Sequence, residues 1–213
     1  MSRDSNGPKS ASSTSAGAVG LPVLEVGVVT ERADAARNRL RVLAAAERLF
    51  AERGVGEVTM DDIAAAAGVG KGTLYRRFVD KGGLAVALLD QRERELQQQI
   101  LSGPAPLGPG AEPSERIAAF VVAYLDFLDR QLDLVLLSET STVGARLLTG
   151  AYGFWRQHCR YLLSVAGAPD PELRAALLLA GLSAEQVRHW LRVEQRDRGE
   201  LERALAAAAC ALL

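Results

Sequence analysis

Thr59-Met-Asp-Asp-Ile-Ala-Ala-Ala-Ala-Gly68-Val-Gly70-Lys71-Gly-Thr-Leu-Tyr-Arg-Arg-Phe78-Val-Asp-Lys81 is the stretch from which the fold follows. Thr59 with Asp62 three residues on is close to the capping-box pattern and opens a short helix over 60–67. Gly68-Val69-Gly70 turns the chain, and a second short helix is expected over 71–78. Ile63, Val69 and Leu74 are spaced to close a small core between two helices that cross at this three-residue turn. Ala64 and Ala67 allow close approach, and Gly68 permits the tight reversal. That spacing is the geometry of a helix-turn-helix, which presents its second helix to the major groove of DNA.

The polar positions of the second helix carry the chemistry. Lys71, Gly72 and Thr73 stand at its N-terminus, where free amides and the helix dipole attract phosphate. Tyr75, Arg76 and Arg77 follow, and Lys81 begins the next helix. Residues 71–81 hold four cations against the single acid Asp80, so the local field is positive although the chain carries a formal charge of −1. A cation in the first turn of a helix is disfavoured by the dipole. Lys81 is therefore read as facing an external anion, beside the amides of Gly82 and Gly83.

Outward from this motif nearly everything reads as helix, and no alternating β-branched run competes. Upstream, a helix is expected over 34–53, with Leu43, Ala46 and Phe50 on one stripe and Gly54 as its stop. Residues 1–30, rich in Ser, Gly and Ala without a period, read as a disordered arm. Their apolar part, 21–29, contains Pro22 and Glu25 and lacks a basic start, so it is a poor signal peptide. Downstream, Asp80 caps a helix to about Leu101. Residues 102–113, with four prolines and three glycines, form a loop. Further helices are expected over 114–130, 132–139, 143–166, 170–195 and from 199 to the end. The expectation is an all-α chain of about nine helices. It divides into an arm (1–30), a three-helix DNA-binding domain (31–83) and a larger helical ligand-binding and dimerisation domain (84–213).

Composition excludes several alternatives. The chain of 213 residues is 48% hydrophobic and 24% charged, the mix of a globular protein. Two cysteines, Cys159 and Cys210, make no disulfide framework and read as buried thiols in a reducing compartment. With only His158 and His189 beside them, neither a metal site nor another cofactor is expected. No run reaches the roughly 18 apolar residues of a membrane span, so a cytoplasmic protein is expected. His158 next to Cys159 invites an enzymatic reading, but neighbouring helical residues point about 100° apart and cannot pair. No glycine-rich phosphate loop or acid pair is present either. A helical interaction protein that has lost DNA binding is the other rival, and Lys71, Tyr75 and Lys81 argue against it.

In the C-terminal half, Leu173, Leu177, Ala180, Ala184, Val187 and Leu191 recur at alternating four and three spacing. Leu201 and Leu205 continue the pattern in the last helix. Such seams suit close-packed helix pairs, either inside one subunit or between two. Phe120, Tyr124 and Phe127 share one helix; Tyr152, Trp155, His158 and Tyr161 lie on another. Glu139 ends an apolar run and reads as a partly buried carboxylate. Aromatics so gathered either fill a core or line an apolar cleft for a small molecule.

Residues 37–83 resemble the DNA-binding domain of the tetracycline-repressor (TetR/AcrR) family. The resemblance is carried by Ala-Ala-Glu-Arg-Leu-Phe-Ala-Glu-Arg-Gly54, the Thr59 cap, Ile63-Ala64, Ala67-Gly68-Val69, Lys71-Gly72-Thr73-Leu74-Tyr75, Phe78 and Lys81. It covers about a fifth of the chain. It implies that Lys71, Gly72, Thr73, Tyr75 and Arg76 face DNA, that Thr59 and Lys81 hold phosphates, and that Phe78 is core. Gly70 stands where the family commonly has Ser, and Arg77 where it often has His, which bears on the operator sequence. The resemblance further implies a homodimer formed through the last two helices as a four-helix bundle. It also implies an effector pocket in the C-terminal half and a repressor released from a palindromic operator by a small apolar or aromatic effector.

Overall fold

A computed structural model describes residues 26–213, with side chains from Asp34 onward. The arm expected over 1–30 lies mostly outside the described residues; its last part, from Val26, is already helical. Helix α1 spans Val26–Arg53, so it starts earlier than the expected residue 34. It is followed by α2 (Met60–Ala67), α3 (Lys71–Phe78), α4 (Lys81–Ser102), α5 (Pro113–Arg130) and α6 (Leu132–Thr140). Then come α7 (Ala145–Leu148), α8 (Gly150–Val165), α9 (Pro171–Gly181), α10 (Ala184–Arg188) and α11 (Arg198–Cys210). A π-helical turn, His189–Val193, continues α10. Among the described residues there is no strand, and no helix is long and apolar enough to cross a membrane.

The chain divides at Arg37. Up to that point the described residues are the start of α1, with an ion pair between Asp34 and Arg37 one turn apart. From Asn38 on there are two hydrophobic cores. The smaller joins Ala46 and Phe50 of α1, Ile63 of α2, Leu74 and Phe78 of α3 and Leu84 of α4. The larger is built around α5, which packs against α8, α10 and α11 and buries Phe120, Leu125 and Leu128. Leu134 of α6 packs against both cores.

Two expected long helices are broken, and both breaks have caps. The one expected over 143–166 is interrupted at Thr149, whose extended backbone and hydroxyl, accepting the Tyr152 N–H at 3.1 Å, start α8 afresh. The one expected over 170–195 stops at Gly181. Ser183 then caps α10 by accepting the Gln186 N–H at 3.3 Å, and the Glu139 carboxylate accepts the Ala184 N–H at 3.0 Å.

The second break corrects the expected interface seam, because a heptad phase survives only along an unbroken helix. Leu173, Leu177 and Ala180 of α9 are exposed, the first two by 54% and 57%. Ala184 and Val187 of α10 and Leu201 of α11 are instead buried in the chain's own core. Leu191 and Leu205 are half-buried against that same core.

Candidate nucleic-acid interface

The turn between α2 and α3 is fixed at both ends. Thr59 closes a full capping box: its hydroxyl oxygen accepts the Asp62 N–H at 3.1 Å, and Asp62 accepts the Thr59 N–H at 2.9 Å. The Thr59 hydroxyl also donates to Asp62 at 2.8 Å. These bonds from the Thr59 backbone and side chain hold the Asp62 carboxyl below the usual carboxylate range. The Thr59 hydroxyl is therefore engaged in the cap, and a phosphate reaching it must compete with Asp62. At the other end of α2, Gly68 adopts the left-handed conformation, φ 63°, that the reversal requires.

Helix α3 buries Leu74 and Phe78 and exposes the rest. Its N-cap, Gly70, offers no side-chain acceptor, so the Lys71 and Gly72 amides at its N-terminus have no capping partner. The space where a Cβ would stand at Gly70 or Gly72 is open. Thr73, Tyr75, Arg76 and Arg77 project from the exposed side, and neither arginine has an ion-pair partner among the described residues. Lys71 donates to Asp61 of α2 at 2.5 Å, and this bond raises its pKa. A phosphate reaching Lys71 must compete with that carboxylate. What the arrangement offers is a rigid, capped, electropositive helix with bare amides at one end and hydrogen-bond donors along one face. Those are the parts needed to dock on a phosphate backbone and read base edges.

Lys81 is corrected. Its ammonium turns back and donates to the carbonyls of Val55 at 2.8 Å and Val58 at 3.0 Å, with Gly56 at 3.5 Å. The loop between α1 and α2 thus supplies the negative partner that was expected from outside. Gly82 and Gly83 are packing residues: a Cβ at Gly82 would lie 2.3 Å from the Ser141 side chain, and one at Gly83 would lie 2.1 Å from the Phe78 carbonyl. Lys81→Ala should accordingly lower stability by about 1–3 kcal/mol, the range for losing hydrogen bonds to a charged donor. Thermal melting is the check; a variant with wild-type stability and impaired DNA binding would restore the phosphate role.

The residues expected to line a ligand pocket are mostly packed core. Phe120 stacks on Tyr124 at 5.5 Å between ring centroids, and Tyr124 on Phe127 at 6.0 Å. Trp155 closes on both Phe120 and Tyr124, and His158 lies edge-on to Phe120 at 5.4 Å. Phe127 and Tyr152 reach partway to the surface, with the Arg146 guanidinium 5.0 Å from the Tyr152 ring. Glu139 is not free for a ligand: it pairs with Arg146 at 2.8 Å and caps α10. Burial pushes the Cys159 thiol well above its ordinary value, so it is no nucleophile.

Sequence reasoning missed a cleft of about 610 Å³ on the other side of α4, bounded by Arg39 of α1, Arg77 and Phe78 of α3, and Phe154 of α8. Glu93 lines it, and burial, followed by the charge of Asp90, pushes its carboxyl up to about 7. Nothing in the spacing of α4 marked Glu93 among its charged neighbours.

Glu93 and His158 oppose each other in pH. The folded protein favours protonated Glu93, so that stability is complete below pH 4.5 and is lost as pH rises through about 7. Burial, and then the charge of Arg116, lowers His158 to about 4; the stability of its neutral form is complete above pH 6.5 and is lost as pH falls toward 4. Each contribution is about 3 kcal/mol at most. Melting temperature should therefore change little between pH 4.5 and 6.5 through these two groups. Glu93→Gln should steepen the acid loss, and His158→Phe should expose a decline toward pH 7. Parallel profiles for both variants and the parent would contradict this.

Residues 42–88 match the family described as bacterial regulatory proteins, tetR family. An HTH-type transcriptional regulator of Mycobacterium tuberculosis is 36% identical over 85 residues, 40% of this chain and 41% of that protein. One of Staphylococcus aureus is 43% identical over 65 residues, 30% of this chain and 35% of that protein. The chain thus spans about two fifths of the length of the curated relatives it matches. Both are named as regulators, not enzymes. Among solved structures, Thermus thermophilus FadR, a TetR-family transcriptional repressor in complex with lauroyl-CoA, aligns with a TM-score of 0.60 at 23% identity. The alignment covers 80% of this chain and 92% of that one, and the likeness is one of fold.

Proposed function

We propose, from the match of residues 42–88 to the tetR family of bacterial regulatory proteins, that the chain is a cytoplasmic, dimeric transcriptional repressor that binds a palindromic operator and is released by a small effector. The observation that carries DNA binding is α3 itself. Its two buried residues anchor it, while Thr73, Tyr75, Arg76 and Arg77 remain available outside. Residues 31–83 serve as the reading head, and 84–213 carry the dimer contact and the response.

For the dimer, the supporting feature is an apolar face on two helices packed against each other. Tyr161 and Val165 of α8 and Leu173 and Leu177 of α9 are all more than half exposed, each pair one helical turn apart. Arg156 and Arg160 of α8 both reach Glu172 of α9, which ties the two helices together. A second copy bringing the same face forms an isologous contact, and its two-fold axis matches an inverted repeat in DNA.

Binding to DNA should weaken steeply as salt rises, because several phosphates are neutralised. Arg76→Ala should weaken the best site by about 1–3 kcal/mol and narrow its advantage over random DNA if the guanidinium reads a base. A fluorescence-anisotropy titration at several salt concentrations measures both. Salt-independent binding, or none, would contradict the proposal.

A further inference from the structure

The four cations between Lys71 and Lys81 are not equally available to DNA. Lys81 is engaged by the carbonyls of Val55 and Val58. Lys71 is covered by Asp61, whose carboxylate reaches across from α2 to its ammonium at 2.5 Å. Of the four, only Arg76 and Arg77 lack a partner among the described residues.

The two acids that open α2 do different things. Asp62 accepts the Thr59 amide and hydroxyl at 2.9 and 2.8 Å and completes the capping box. Asp61 has no part in that cap. Its side chain has one hydrogen-bond partner among the described residues, Lys71, ten positions on. An acid in the first turn suits the α2 dipole wherever its side chain points. This one points at the N-terminus of α3, where the Lys71 and Gly72 amides have no capping partner.

We propose that Asp61 is a brake on DNA binding, a positioning residue that keeps the Lys71 ammonium from phosphate and lowers the affinity of the reading head for every sequence alike.

The brake rests on the regulator reading above. A phosphate that takes Lys71 must break the pair and then lies close to a carboxylate left without its cation. The acid thus opposes the contact twice. Both partners are at least half exposed, so the opposition is modest and Lys71 can exchange between carboxylate and phosphate. Phosphate contacts carry no sequence information, whereas contacts to base edges do. Asp61 therefore sets affinity without altering which bases are read.

The test needs no operator. A short fluorescein-labelled duplex of random sequence is titrated with the full chain at several potassium chloride concentrations. Asp61→Asn should bind it about two- to fivefold more tightly. The slope of log affinity against log salt should steepen by about one, as Lys71 is freed for a phosphate. Asp61→Glu, which keeps the charge, should bind like the parent. In a chain carrying Lys71→Gln, the gain from Asp61→Asn should shrink, because the acid acts through that ammonium.

The pair itself is read without DNA. The chain has three lysines, Lys9, Lys71 and Lys81. The hydrogen bond and the charge of Asp61 raise the Lys71 pKa. Asp61→Asn should therefore speed acetylation of Lys71 by acetic anhydride relative to Lys81, measured by peptide mass spectrometry. An unchanged Lys71 labelling rate, or equal gains from Asp61→Asn with and without Lys71→Gln, would overturn the assignment. Unchanged duplex affinity in Asp61→Asn would overturn the brake alone. No duplex binding by the parent or any variant would overturn the regulator reading and the brake with it.

Discussion

Leu177→Asp should yield a folded monomer that no longer holds a two-half-site operator. Leu177 is 57% exposed in the single chain, so the substitution leaves the fold nearly untouched, within about 0.5 kcal/mol. In the proposed dimer the same position lies inside an apolar contact between two copies of α8 and α9. Burying an unpaired carboxylate there costs several kcal/mol per side, and two-fold symmetry applies that cost twice. A dimer of ordinary affinity does not survive this. Operator binding then drops by orders of magnitude, because each head must hold its half-site alone. Sedimentation velocity reads the mass, and a melting curve guards against unfolding. A Leu177→Asp protein that still sediments as a dimer would move the interface elsewhere.

Val187→Asp should fail in a different way. Val187 is fully buried in α10, which packs against α5 and α6, within the apolar core. An unpaired charge at such a site costs an amount comparable to the whole stability of a typical domain, about 5–15 kcal/mol. The C-terminal core should therefore not assemble, and circular dichroism should show lost helix rather than a well-folded monomer. A variant with parental melting temperature and monomeric mass would mean that α10 faces a partner.

These two positions fall on one apolar repeat in the sequence, but Leu177 is exposed and Val187 is buried in the core of the structure. The difference lies in Gly181-Leu182-Ser183, where the chain leaves the helix and Ser183 starts the next one. An apolar repeat runs straight through Ser183 in the sequence, and the Glu139 bond that fixes the break comes from 45 residues away. The helix-turn-helix was legible because its determinants are local: Thr59 and Asp62 cap each other, Gly68 reverses the chain, and Leu74 and Phe78 lie one turn apart. Lys81 shows the limit of the same reasoning. Its sequence position suggests an external anion, whereas its ammonium donates to carbonyls in the α1–α2 loop that no local pattern announces. For Phe120, Tyr124 and Trp155 as a group, the sequence points to a ligand cleft with core filling as the alternative, and the rings are packed against one another in the core.

The central claim, that α3 reads DNA as one of a symmetric pair, is tested most directly by selecting binding sites from a random double-stranded DNA pool with the full chain. The account predicts enrichment of a short motif and its inverted copy, with centres separated by about one helical turn or somewhat more. It also predicts that Arg76→Ala changes which bases are enriched. A pool that stays random, or that yields a single unpaired motif unaffected by Arg76→Ala, would contradict it.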